Sequence, residues 1–300
     1  MPARTLAVAG AKGGVGKTTT SINLSAALAE AGLDVLVVET DLAMANVVDF
    51  LRFSPEETLH EVLTGDAAPR DAIYAVPGGF EVLPSGTTVE GFVDADVTEI
   101  PAVLEAVEDQ YDVIIFDTGA GVSHESLLPL GLADRTVIVS SPRVASVRDA
   151  NKTAELADRL GGTVAGVLFS KSGTGRSPPP EQIASYLELP LLGHIPEDPA
   201  VPDAQDSGRP VVTVSPESAA ARAYREVART LFEKSENRAP RTNGDTTTAR
   251  RREPTDRSGK DGRNRSKENS RDRSKGDSRD RPSGDGQSSS GTVGTTVNDN

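Results

Sequence analysis

The segment Ala11-Lys12-Gly13-Gly14-Val15-Gly16-Lys17-Thr18-Thr19 stands between a short apolar run, residues 6–9, and a helix-patterned stretch, residues 20–30. A buried strand that turns through glycines into a helix leaves few folds open. Glycines let the backbone turn tightly with its N–H groups pointing inward, and the helix that follows directs its positive end to the same point. The occupant this predicts is a polyphosphate. Lys17 would lie against the outer phosphates, and the Thr18 hydroxyl would ligate Mg²⁺.

Further along, strand and helix patterns alternate. Residues 34–39 (DVLVVE) and 112–116 (DVIIF) read as buried strands, as do residues 79–83, 136–140, 164–169 and 191–195. Helices are expected over residues 58–64, 98–109, 144–160, 180–188 and 218–233, the last with Ala220, Tyr224, Val227 and Leu231 on one stripe. Such alternation predicts an α/β fold, a mostly parallel, doubly wound sheet with helices on both faces. Segments leaving the carboxyl ends of its strands border the ligand crevice, which brings Asp41 near the phosphates. Asp117 ends a buried strand and runs into Thr118-Gly119-Ala120-Gly121, the place of an acidic residue that holds Mg²⁺ directly or through water.

Composition divides the chain near Lys234. Residues 1–234 carry 17 Lys+Arg against 34 Asp+Glu, whereas residues 235–300 carry 15 against 11. The first part reads as one folded domain. The second, dominated by Arg, Asp, Ser, Gly, Lys and Thr, has no apolar period and is expected to be a disordered charged tail. An acidic body disfavours nonspecific binding to nucleic acid or anionic membrane, although the Arg-rich tail leaves a route to DNA. Its few lysines among many carboxylates resemble proteins of salt-loving organisms. The absence of cysteine excludes a disulfide framework and a thiolate-bound iron–sulfur cluster. No run reaches the ~18 apolar residues of a membrane span, and no signal segment opens the chain, so a cytoplasmic protein is expected. His60, His124 and His194 lack ligand spacing and are assigned no metal role.

The residues resemble a known family. Lys12-Gly13-Gly14-Val15-Gly16-Lys17-Thr18-Thr19 is similar to the deviant Walker A loop of the MinD/ParA ATPases, P-loop NTPases in which an extra lysine precedes the glycines. Asp41-Leu42-Ala43-Met44-Ala45-Asn46 resembles the family's first switch, and Asp117-Thr118-Gly119-Ala120-Gly121 its second. Ser141-Pro142 with Ser146-Val147-Arg148-Asp149-Ala150, and Gly193-His194-Ile195-Pro196-Glu197-Asp198-Pro199 with Gly208-Arg209-Pro210-Val211-Val212, resemble the MinD branch in particular. The likeness covers residues 4 to about 234.

The resemblance implies a slow, partner-stimulated, Mg²⁺-dependent ATPase that dimerises on ATP and positions other proteins in the cell, recruited to a pole or envelope structure through an unidentified partner. Lys12 would reach phosphates held by the other subunit, Asp41 would activate or orient the attacking water, and Asn46 would hold that water or the γ-phosphate. Gly13, Gly14, Val15, Gly16, Lys17, Thr18 and Thr19 would cradle the phosphates, with Ser170, Pro196 and Asp198 beside the nucleoside and Thr18, Asp41 and Asp117 around the metal. The chain departs from the pattern at Glu39 and Ser170, where the family usually has Asp and Asn, and at Ala43 and Arg143, where Gly and an acid are usual. Ser170 leaves ATP against GTP open; Glu39 and Ala43 leave open a scaffold of little turnover. A partitioning ATPase that coats DNA is the alternative class. Membrane binding through a C-terminal amphipathic helix is disfavoured, because nothing after Lys234 offers an apolar face.

Overall fold

The computed structural model of the chain describes residues 3–10, 12–121, 124–173 and 177–232. The boundary expected after Lys234, the charged tail and the His124 side chain lie outside the described residues.

Eight strands form one sheet: β1 (Arg4–Ala9), β2 (Val35–Glu39), β3 (Tyr74–Ala75), β4 (Glu81–Leu83), β5 (Val113–Asp117), β6 (Arg135–Ser140), β7 (Val164–Ser172) and β8 (Leu191–Pro196). Their order is β3-β4-β2-β5-β1-β6-β7-β8, parallel throughout except for the antiparallel pair of β3 with β4 at one edge. The helices are α1 (Lys17–Glu30), α2 (Val47–Leu51), α3 (Leu59–Thr64), α4 (Val89–Asp94), α5 (Ile100–Glu105), α6 (His124–Leu132), α7 (Val144–Arg159), α8 (Pro180–Leu187), α9 (Ala200–Asp206), α10 (Val211–Val214) and α11 (Ala219–Phe232).

Because side chains alternate along a strand, β2 feeds two cores at once. Val35 and Val37 pack with α1 and α11, through Ile22, Tyr224 and Val227, whereas Leu36 and Val38 pack with α3 and α5, through Leu59, Val62 and Val103. A third cluster joins Ile138, Val167 and Phe169 to Val147, Ala154 and Ile183 of α7 and α8. The stripe expected on α11 is core: Ala220, Tyr224, Val227 and Leu231 are all buried. Its arginines lie outside, with Arg225 2.8 Å from Glu30. Among the described residues, no helix is long and apolar enough to cross a membrane.

Two expectations need correction. Residues 98–109 do not form one helix. A 3-10 turn (Val97–Glu99), α5 and a second 3-10 turn (Glu108–Gln110) follow one another, with Pro101 in the first turn of α5. Proline lacks the N–H that a continuous helix would need there. The strand expected to stop at residue 169 runs on as β7 to Ser172, through register shifts against β8 and a left-handed backbone at Lys171 (φ 52).

Candidate functional site

At the carboxyl ends of β1, β2, β5, β7 and β8 lies a cleft of about 1570 Å³. The sheet reverses its direction of growth at β1, between β5 and β6, and the loop leaving β1 forms the cleft floor. Two glycines make that loop possible. A Cβ on Gly10 would stand 2.6 Å from the Val139 carbonyl, and Gly16, which precedes α1, has φ 92.

Gly13, Gly14, Gly16, Lys17, Thr18 and Thr19 line the cleft, and Val15 turns into the core beneath them. Behind the loop, the Ser170 hydroxyl donates to the Val15 carbonyl at 2.5 Å, and the Lys171 ammonium donates to the Gly14 carbonyl at 2.9 Å. Ser170 was expected beside the base. It borders the cleft, but its proton goes to the loop backbone. The Asp198 carboxylate likewise accepts from the N–H groups of Ala200 and Ala220, which hold its pKa below the usual carboxylate range, so it ties α9 to α11 while bordering the cleft with Pro196.

Three ionisable groups converge at the other end of the cleft. Lys17 is buried, and burial lowers its pKa although the charges of Asp117 and Asp41 oppose this. Asp117 is completely buried; burial pushes its pKa up to about 6, against hydrogen bonds from Thr18 and Ser21 and the charge of Lys17. Burial also raises Asp41, again against Lys17. Ser21 Oγ donates to Asp117 Oδ1 at 2.8 Å, while Asp117 Oδ2 is buried with no hydrogen-bond partner among the described residues. A buried carboxylate oxygen without a donor is costly unless something charged completes it. Beside a threonine hydroxyl and a phosphate loop, that oxygen suits a hydrated Mg²⁺, which takes one or two protein ligands and fills its shell with water and phosphate oxygens. Among the described residues, no group of three or more His, Asp or Glu forms a self-sufficient metal cage.

Asp41 follows β2 and lies against the segment after β5: a Cβ on Gly119 would stand 3.1 Å from Asp41 Oδ1. Asn46 borders the cleft, with its Nδ2 donating to the Met44 carbonyl. Lys12 is half exposed and reaches Asp149 of α7 at 4.0 Å. It does not join Lys17 at the cleft wall. His60 is buried, with Nε2 3.2 Å from Ser85 Oγ, and burial lowers its pKa.

Sequence reasoning missed Ser21, and it named Gly119 and Glu39 without foreseeing their contacts or those of Lys171. Ser21 had a readable signal, since it stands one helical turn after Lys17 and therefore faces the same side. The others act across elements far apart in sequence. Glu39 is wholly buried and accepts three backbone N–H bonds, from Asn46 (2.6 Å), Val47 (2.9 Å) and Ser85 (2.9 Å). Burial nonetheless raises its pKa to about 7.

Residues 6–211 match the CobQ/CobB/MinD/ParA nucleotide binding domain. The chain belongs to this family. An uncharacterized ATP-binding protein of Methanocaldococcus jannaschii is 38% identical over 229 residues, 76% of this chain and 87% of that protein. The cell division ATPase MinD of Pyrococcus furiosus superposes with a TM-score of 0.74 at 34% identity, covering 77% of this chain and 99% of that one. The septum site-determining protein MinD of Pyrococcus horikoshii, solved with Mg-ADP, gives 0.74 at 32% identity, covering 78% and 98%. For this MinD/ParA-family chain, the α/β fold read from its sequence is thus the fold of its relatives.

Proposed function

We propose that this chain is a Mg²⁺-dependent ATPase that works as a dimerisation switch of the MinD type, positioning other proteins in the cytoplasm or at the envelope. The observation that carries the reading is the meeting of Lys17, Asp41 and the unpartnered Asp117 Oδ2 at one end of the cleft. A buried cation and buried carboxylate, with a second carboxylate at the cleft wall, leave a net negative charge that attracts a divalent metal, and the metal together with Lys17 attracts phosphate oxygens. Thr18, Asp117 and Asp41 are the residues that would hold Mg²⁺, which would supply neutralisation of the phosphate oxygens. Gly13 to Thr19 wrap the phosphates, and Lys17 binds their outer oxygens. Asp41, against the Gly119 turn, would orient the attacking water, and Asn46 stands five residues further along the same segment to fix that water.

Lys12 fits a role across the dimer interface. Its ammonium is half exposed and, among the described residues, is held by a 4.0 Å contact with Asp149, which a phosphate from a second subunit would outcompete. Hydrolysis removes that phosphate and separates the subunits.

Phosphate release and molar mass, measured with and without ATP and Mg²⁺, test the proposal together. Wild type is expected to release phosphate slowly and to double its mass with ATP. Asp41→Ala should stay dimeric in ATP without turnover. A chain that neither binds nor hydrolyses ATP overturns the reading. Turnover without a change in mass overturns the switch alone.

A further inference from the structure

Glu39 ends β2 directly beside Asp117, which ends β5; the two are register partners in the parallel pair. Both are fully buried carboxylates, yet their surroundings differ. Asp117 keeps one oxygen without a partner. Glu39 has neither oxygen free of the main chain. Oε1 accepts from the N–H groups of Asn46 and Val47, and Oε2 accepts from the N–H of Ser85. An ionised carboxylate only accepts, with about four lone-pair sites, and three of these are filled by backbone donors.

Those donors belong to two separate walls of the cleft. Asn46 and Val47 lie where the segment from Asp41 enters α2, and Ser85 lies in the loop between β4 and α4, whose Gly86, Thr87 and Thr88 line the cleft. Asp41 and Asn46 sit on the first wall. The bond that the Asn46 side chain makes, from Nδ2 to the Met44 carbonyl, is local to that wall. Ser85 is fixed a second time by His60, through Oγ and Nε2 at 3.2 Å. The glutamate therefore spans the two loops directly, through their backbone amides, while a second, indirect link runs through His60, whose ring has a backbone hydrogen bond with Leu42 and meets Ser85 Oγ.

We infer that Glu39 is a positioning residue: its carboxylate clamps the Asp41–Asn46 wall to the Ser85–Thr88 wall and so fixes where Asn46 stands relative to the terminal phosphate. This rests on the ATPase reading above and assigns Glu39 to the loops in preference to the metal's outer shell. The length of the side chain is part of the device. An aspartate here, one methylene shorter, reaches one wall only. Glutamine keeps an acceptor for Asn46 and Val47 but turns a donor toward the Ser85 N–H, so it releases the second wall. Ser85→Ala keeps the backbone donor and loses only the hydroxyl contact to His60.

The test combines amide hydrogen exchange with single-turnover hydrolysis on the full chain. In the wild type without nucleotide, the amides of Asn46, Val47 and Ser85 are expected to exchange far more slowly than those of neighbouring loop residues; fast exchange at all three overturns the clamp without any variant. In Glu39→Gln, exchange at Ser85 should accelerate while Asn46 stays protected. In Glu39→Asp both walls should not remain protected together. Each variant should lose about 10–100-fold in the hydrolysis step, because misplacement on the ångström scale costs that much, with Mg-ADP affinity within about threefold of wild type. Ser85→Ala should keep protection at Asn46 and Val47 and most of the rate. If Glu39→Gln weakens Mg-ADP binding as strongly as it slows hydrolysis, with amide exchange unchanged, the residue serves the metal and the clamp is wrong. If the wild type does not hydrolyse ATP at all, the exchange results still decide the clamp, and only the ATPase reading fails.

Discussion

The two ends of the cleft are built on opposite terms. Where β1, β2 and β5 end, the buried Lys17 and Asp117 crowd against the half-buried Asp41, each with its pKa displaced by burial, and Asp117 Oδ2 has no hydrogen-bond partner among the described residues. Where β7 and β8 end, polar groups satisfy one another: Ser170 with the Val15 carbonyl, Ser172 with His194, Asp198 with two backbone amides. The first end is electrostatically incomplete until a ligand arrives. The second is complete already, so its side chains brace the loop and the helix starts; on the proposed reading, any selectivity for a base there comes through shape and main chain. The lesson is that bordering a cleft and being available to a ligand are different properties, separated by where each proton is already committed.

The contrast can be broken most decisively at Asp41. Asp41→Ala is expected to lower turnover by about 10²–10⁴-fold while leaving Mg-ADP affinity within a few-fold, as measured by single-turnover kinetics and calorimetry. Next comes Lys17→Ala, which removes the buried cation: nucleotide affinity should fall by about 100-fold or more. An unchanged affinity would mean that the phosphates lie elsewhere.

A smaller effect sharpens the electrostatic half of the comparison. Glu39 and Asp117 have folded-state pKa values raised to about 7 and about 6, above their ordinary carboxylate values. The folded protein therefore holds protons that the unfolded chain has released. The stability from this source is fully present below the ordinary carboxylate range, and it is lost as pH rises through about 6 to 7. Without nucleotide, the melting temperature should fall by about 3–8 °C across that window; Mg-ADP should reduce the fall, and Asp117→Asn should flatten it. The smallest effect is expected at the other end. Ser170→Ala should cost about 1 kcal/mol in stability by orphaning the Val15 carbonyl, and leave the preference between ATP and GTP within about threefold of wild type. A tenfold change in that preference would place Ser170 on the base and dissolve the distinction between the two ends.

Much of this was legible in the sequence because the decisive segments are local. The glycines of the loop follow a buried strand and precede a helix, and β2 and β5 are uninterrupted apolar runs, which only a sheet covered on both faces requires. Less legible were elements with little burial of their own. β3 is a two-residue antiparallel edge, and α4 contains no buried residue, so neither imprints a hydrophobic period. At the site, Lys17, Thr18 and Asp117 were readable from spacing. The acceptor for the Ser170 proton, and the three donors that surround Glu39, were not. Those bonds join residues as much as 155 positions apart, and no short pattern reports them.

The central position of β1 also governs how the chain can be made. This six-residue strand leaves the ribosome before the other described strands, but its partners β5 and β6 end at Asp117 and Ser140. Until more than a hundred further residues have emerged, at ~5–20 residues per second, β1 has no edge to join. The β2–β4 layer, whose strands are close in sequence, can assemble before it, and the loop after β1 cannot acquire its shape until the sheet closes around it. Folding is expected to be slow, as for other parallel sheets with distant pairings. The phosphate-binding geometry should then appear in one late step, so that nucleotide binding during synthesis or refolding reports completion of the sheet.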